Sequence, residues 1–146
     1  MKQMFRMTIL AALLMSSLPA MAETLNATLY KSPQCGCCEG YVAYLRKNGF
    51  TVDVKPTNDL AEISRKAGVP REMQGCHTTF VNGYVVDGHV PIATVRKLLS
   101  EKPDIAGITL PGMPLGSPGM GGEKEEPFTI YALPKDGKTP TVYAVE

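Results

Sequence analysis

The sequence predicts an α/β domain, a small mixed sheet with flanking helices, and three features carry that prediction. Apolar and polar residues alternate in two separate stretches, a helical pattern lies between them, and an Asn-Gly pair divides two further short apolar runs. In residues 24–30, Leu25, Ala27 and Leu29 share one face, the period of a strand with one buried side. Ser32 and Pro33 end it. Val42 and Leu45, with Tyr41 and Tyr44 beside them and Asn48-Gly49 as a stop, predict a helix over residues 37–47. Phe50, Val52 and Val54 then alternate as far as Pro56, giving a second strand. Asp59 and Glu62 have the spacing of a capping box, opening a short helix that Gly68 and Pro70 end. Residues 78–81 and 84–87 flank Asn82-Gly83, the strongest short signal for a tight hairpin. Pro91 suits the first turn of a last helix, Ile92, Val95, Leu98 and Leu99 form its apolar face, and Pro103 stops it.

The order strand, helix, strand, helix, hairpin, helix is that of a thioredoxin-like domain reduced to its minimum. Residues 110–122 hold three Pro and five Gly, a composition that excludes a helix or a central strand and predicts a loop. Residues 128–133 and 139–145, around Lys135-Asp136-Gly137-Lys138, read as a terminal β-hairpin. The expected organisation is a leader over 1–22, the thioredoxin-like domain over 23–108, and a Pro/Gly/Met loop with its hairpin over 109–146, packed on the same domain.

Fifteen Lys and Arg stand against fourteen Asp and Glu, a formal charge of +1. That balance removes the electrostatic argument for a nucleic-acid or anionic-membrane partner. Residues 1–22 read as an export signal: Lys2 and Arg6, then an apolar run from Ile9 to Met15, then Ala20-Met21-Ala22 as the cleavage pattern. In a Gram-negative cell the destination is the periplasm. The apolar run is too short to span a bilayer, and no later segment approaches the roughly 20 apolar residues a membrane helix needs. Five of the eight Met lie in the leader, so Met73, Met113 and Met120 alone serve the mature chain.

All four Cys lie beyond the leader. Cys35, Cys37 and Cys38 put three thiols into four residues, and Cys76-His77 adds a fourth thiol and an imidazole. Cys35 and Cys38 have the two-residue gap of a redox dithiol at a helix start, where N–H groups and the helix dipole favour thiolate. The third thiol, Cys37, invites wrong disulfides in a simple oxidoreductase and argues for metal. Adjacent Cys37 and Cys38 do not both reach one ion without strain, so the sulfurs are expected to be shared among several ions. Soft sulfur donors favour Cu(I), with Zn(II) the competitor. The other readings are two structural disulfides with three pairings, a thiol–disulfide oxidoreductase in which Cys35 attacks and Cys38 resolves, and a copper-dependent oxidoreductase. His77 is the better imidazole candidate, His89 reads as a cap or surface residue, and Met73 is either a thioether ligand or packing. Met113 and Met120, in a loop of small residues, are candidates to cover the metal.

Cys35-Gly36-Cys37-Cys38, Gly75-Cys76-His77-Thr78, the stretch from Gly83 to Pro91 and the stretch from Pro111 to Met120 together resemble the CopG-like family of exported metal-binding proteins, over nearly the whole mature chain. The resemblance implies a thioredoxin-like domain, often encoded with copper-resistance systems, that binds copper through its cysteine cluster. Carried over by motif, Cys35, Cys37, Cys38 and Cys76 are the metal thiolates, with His77 and Met73 beside them. Periplasmic copper donor or acceptor proteins are the partners such a role calls for. The proline that faces the dithiol in true thioredoxins is replaced here by Cys76-His77-Thr78, which weakens peptide docking and favours a ligand role.

Overall fold

The computed structural model describes residues 25–146, so the leader expected over 1–22 lies outside the described residues. Strand β1 (Leu25–Lys31) leads through helix α1 (Gly36–Lys47) to the parallel strand β2 (Phe50–Pro56). Helix α2 (Leu60–Lys66) and a 3₁₀ turn (Arg71–Met73) return the chain to β3 (His77–Val81), which pairs antiparallel with β1. Asn82 (φ 47°) and Gly83 (φ 80°) then turn β3 into its neighbour β4 (Tyr84–Asp87), the paired positive φ angles that a tight hairpin loop demands. Helix α3 (Ile92–Glu101) crosses to β5 (Gly107–Thr109), parallel to β4. β6 (Thr129–Leu133) and β7 (Thr141–Val145) complete one mixed sheet in the order β2-β1-β3-β4-β5-β6-β7.

The predicted α/β class is therefore present, with one strand added. β5 has three residues, too few for alternation to register in the sequence, and it straddles residues 108 and 109, so the sheet runs unbroken into the terminal hairpin. The capping box is not formed. Asp59 makes no side-chain cap bond; its N–H donates instead to Thr57 Oγ1 at 3.0 Å. Glu62 turns to Arg65, two bonds at 2.7 and 2.9 Å. A neighbouring guanidinium offers that carboxylate a charge-assisted fork, which a single backbone N–H does not match.

Alternation along the strands sorts side chains to two faces. On one, Ala27, Leu29, Val81, Val86 and Ile108 pack under Tyr41, Val42 and Leu45 of α1 and Val95 and Leu98 of α3. On the other, Val69, Val85 and Leu133 form a smaller cluster. Tyr41, Leu29 and Leu98 are fully buried, and burying a leucine side chain stabilises by roughly 1.5–3 kcal/mol.

The Pro/Gly loop is pinned to α1 by backbone-to-backbone contact. A Cβ on Gly40 would lie 2.7 Å from the Gly119 carbonyl oxygen, and one on Gly119 2.5 Å from the Tyr41 nitrogen. No other residue type fits that crossing. Gly36, one turn earlier, has no neighbour within 4 Å of such a Cβ. Gly40→Ala is expected to lower the urea-unfolding free energy by about 1–3 kcal/mol. Gly36→Ala should be neutral or raise it by up to about 1 kcal/mol, through helix propensity alone. Equal effects would contradict the docking of the loop.

Candidate metal centre

The chain leaves β1 at Lys31, turns through Ser32-Pro33 and enters α1 at Cys35, its N-cap residue, which makes no side-chain cap bond. Cys37 and Cys38 follow in the first turn of α1, where unpaired backbone N–H groups and the helix dipole make the surroundings positive. Lys31 is buried beneath that turn and pairs with Glu39 at 2.9 Å, tying the start of α1 to β1. Cys76 immediately precedes β3, and β3 pairs with β1 so that His77 stands opposite Lys31. The two cysteine segments therefore meet at one end of the sheet.

The sulfurs are close. Cys35 and Cys38 are joined as a disulfide, while Cys37 and Cys76 are free thiols. Cys37 Sγ lies 3.3 Å from Cys35 Sγ and 3.5 Å from Cys76 Sγ, and Cys38 Sγ lies 3.5 Å from Cys76 Sγ. One sulfur from each of the four residues falls within 4.8 Å of all the others. Thiolates sharing an ion through bonds of about 2.3 Å stand about 3.5–3.8 Å apart, so the four positions match the chemistry of a metal–thiolate group once the disulfide is opened.

On the other side of Cys76 stand two imidazoles. His77 Nδ1 is 3.6 Å and His89 Nε2 is 3.2 Å from Cys76 Sγ. His89, expected as a cap or surface residue, is fully buried and is the nearer of the two. The hairpin explains it: β3 and β4 pair symmetrically about Asn82-Gly83, with Thr78 opposite Asp87, and one further step out on each arm passes His77 and Gly88 to bring Cys76 and His89 together. That symmetry was readable in the sequence. The two rings pack on each other and on Tyr41, with centroids 4.6–5.3 Å apart.

Met73 lies in the 3₁₀ turn, and its side chain packs against the smaller cluster of Val69, Val85 and Leu133. Met113 is exposed at 38% on the loop, and Met120 is half-buried.

Electrostatics keep Cys76 and the two imidazoles neutral. Burial, and then the neighbouring Cys37 sulfur, pushes the Cys76 thiol up to about 12. Burial, reinforced by His89, lowers His77 to about 3, and burial lowers His89 as well. A thiol beside a neutral imidazole is not the thiolate–imidazolium pair of a cysteine nucleophile. Neutral imidazoles, and a thiol whose proton a cation can displace, are the forms in which these residue types bind metal.

Beneath the site, on the opposite face of the sheet, buried Asp87 accepts the Gly75 N–H at 2.6 Å and the Thr78 hydroxyl at 2.8 Å. The Thr78 hydroxyl also bonds Ser64 of α2 at 2.7 Å. Asp87 thus fixes the backbone on either side of Cys76.

Residues 73–120 match the family described as "Protein of unknown function, DUF411". Two solved structures titled copper resistance protein CopG, form 2 and form 1, are similar to the chain at 36% identity, with TM-scores of 0.78 and 0.77. Each covers 85% of this chain, which in turn spans 99% and 98% of theirs. None of the curated proteins matches.

Burial raises the Asp87 carboxyl to about 6, against the opposing pull of the Gly75 and Thr78 bonds. Between the unfolded value near 4 and about 6, the native state holds a proton that the unfolded chain lacks. The stability this provides is present below pH 4 and lost as pH rises through 6. Asp87→Asn cannot ionise, so its unfolding free energy relative to the unsubstituted protein should rise from pH 4 to 6 and level off above. A difference that stays flat across that range would contradict the assignment.

Proposed function

The chain belongs to the family of the copper resistance protein CopG, and from that premise we propose that it is a periplasmic copper-binding protein serving copper tolerance. Cu(I) is the cargo, held by the thiolates of Cys35, Cys37, Cys38 and Cys76 as a cluster of several ions, with His77 at its edge. The observation that carries this reading is the grouping of all four sulfurs within 4.8 Å. Adjacent Cys37 and Cys38, both on the first turn of α1, favour bridging between ions over convergence on one. Soft thiolates select Cu(I) over harder cations, and the buried Tyr41 ring, packed on His77 and His89, keeps water from one side. Export rests on the leader-like residues 1–22 and on the likeness to a copper resistance protein. Donor or acceptor proteins of the periplasm are the partners this role requires.

The Cys35–Cys38 disulfide supports redox cycling. Joining two thiolates releases two electrons, enough to reduce two Cu(II) to two Cu(I); reopening the bond takes two electrons and two protons from two reducing thiols, which leave as a disulfide. The same bond favours a second reading, a thiol–disulfide oxidoreductase in which Cys35 attacks and Cys38 resolves.

Protein isolated from copper-grown cells is expected to contain more than one copper per chain. Cys37→Ser should lower both that content and the copper tolerance of the cells. Copper-free preparations with unchanged tolerance in the variant would refute the proposal. Metal-free protein should show no insulin reduction that depends on Cys35; a Cys35-dependent rate would favour the second reading.

A further inference from the structure

Cys76 belongs to two donor groups at once, the four sulfurs on one side and the pair of imidazoles on the other, and one ligating atom from each of Cys76, His77 and His89 lies within 4.8 Å of the other two. The second group is complete in the disulfide form of the protein, where Cys35 and Cys38 have no thiolate to offer. We propose that Cys76, His77 and His89 form a second metal site, for a divalent ion of borderline softness such as Zn(II) or Cu(II), that operates while the Cys35–Cys38 disulfide is closed.

The spacing fits an ion between the donors. A metal–sulfur bond of about 2.3 Å and a metal–nitrogen bond of about 2.0–2.1 Å place sulfur and nitrogen about 3.2–3.6 Å apart at angles of roughly 95–110°. Cys76 Sγ stands 3.2 Å from His89 Nε2 and 3.6 Å from His77 Nδ1. His89 is also oriented as ligating imidazoles are. Its Nδ1 donates to the Pro118 carbonyl oxygen at 2.6 Å, which fixes the proton on Nδ1 and leaves the Nε2 lone pair facing the sulfur. The loop that supplies this carbonyl is the one locked to α1 at Gly40 and Gly119, so the orientation is set by the fold.

His77 stands beside the same sulfur. Its ring is fully buried, and its Nε2 has no hydrogen-bond partner among the described residues. Buried imidazoles serving structure alone are normally satisfied at both nitrogens. The unpaired nitrogen is not the one toward Cys76, so the ligand role of His77 rests on its Nδ1, which stands 3.6 Å from the sulfur. Cys37 does not join this group within the same reach, so the protein supplies three ligands and leaves the fourth position to water or a small molecule, the arrangement of an open rather than a closed site. One sulfur with two imidazoles is harder than four thiolates, which shifts preference from Cu(I) toward divalent ions.

The site needs none of Cys35, Cys37 or Cys38, so its test separates from that of the Cu(I) cluster. The full chain with the disulfide closed is titrated anaerobically with Co(II), a spectroscopic stand-in for Zn(II). One equivalent should bind, with a sulfur-to-cobalt charge-transfer band and visible bands of tetrahedral strength, and Zn(II) should displace it. His89→Gln and His77→Asn should each weaken binding by more than the roughly 10–100-fold that outer-shell changes cost and shift the visible bands. Cys35→Ser with Cys38→Ser should leave Co(II) binding intact while abolishing the four-sulfur site. Should either His variant lose its fold, the cobalt-edge absorption of the unsubstituted protein still decides: imidazole scattering with one sulfur supports the site. Absence of Co(II) binding by the disulfide form, or a first shell of sulfur alone or of oxygen alone, would overturn it. If reduced protein fails to take up Cu(I) while the disulfide form binds Co(II) as described, the cluster reading fails and this one stands.

Discussion

The antiparallel pairing of β1 with β3 is the constraint on which the site depends. Its register sets Lys31 opposite His77, and the two residues at the strand ends lead directly into the two cysteine segments. A slip of one residue would turn His77 from the α1 face to the α2 face of the sheet and carry Cys76 away from Cys37 and Cys38. The register is held on both faces. Leu29 and Val81 lie under α1 on one side; on the other, Thr78 is bonded to Ser64 and Asp87. Stability of the strand pair and geometry of the site are one property.

Around that pair the structure gathers three thiols' worth of chemistry at a helix start and two imidazoles at a hairpin end, with Cys76 between them. Each side has its own anchor. Lys31 and Glu39 tie the first turn of α1 to β1, and the Pro118 carbonyl, carried by a loop that crosses α1 at paired glycines, orients His89. Burial keeps Cys76 a thiol and both histidines neutral. In that state the pocket stores lone pairs and one displaceable proton instead of a reactive thiolate, which suits metal capture better than nucleophilic chemistry.

Much of this was legible in the sequence, and the rest was hidden for identifiable reasons. The strands, helices and hairpin were marked by period, by Asn-Gly turns and by Pro stops, each a local signal. The grouping of residues 35, 37 and 38 with 76 was expected from pooling the sulfur donors and from the family motifs, with no local signal of contact between the two segments. His89 was misread because the residues after it predict a helix, and its place beside a helix start outweighed the hairpin symmetry that sets it across from Cys76. β5 was too short for periodicity. Asp59 and Glu62 had the right spacing for a capping box, but Arg65 stands one turn on and takes the carboxylate. Which two of four cysteines join is a matter of side-chain direction within a single turn, and spacing alone leaves three pairings open. Met73 packs against the smaller cluster, and residue type alone does not separate a thioether ligand from a core side chain.

The proposed cluster requires four sulfurs from two distant segments to act together on Cu(I). X-ray absorption at the copper edge of the reduced, Cu(I)-loaded chain tests it most directly, because one spectrum reports oxidation state, first-shell donors and metal neighbours. A sulfur-dominated first shell with copper-to-copper scattering is the predicted result. A first shell of nitrogen and oxygen without sulfur would contradict it.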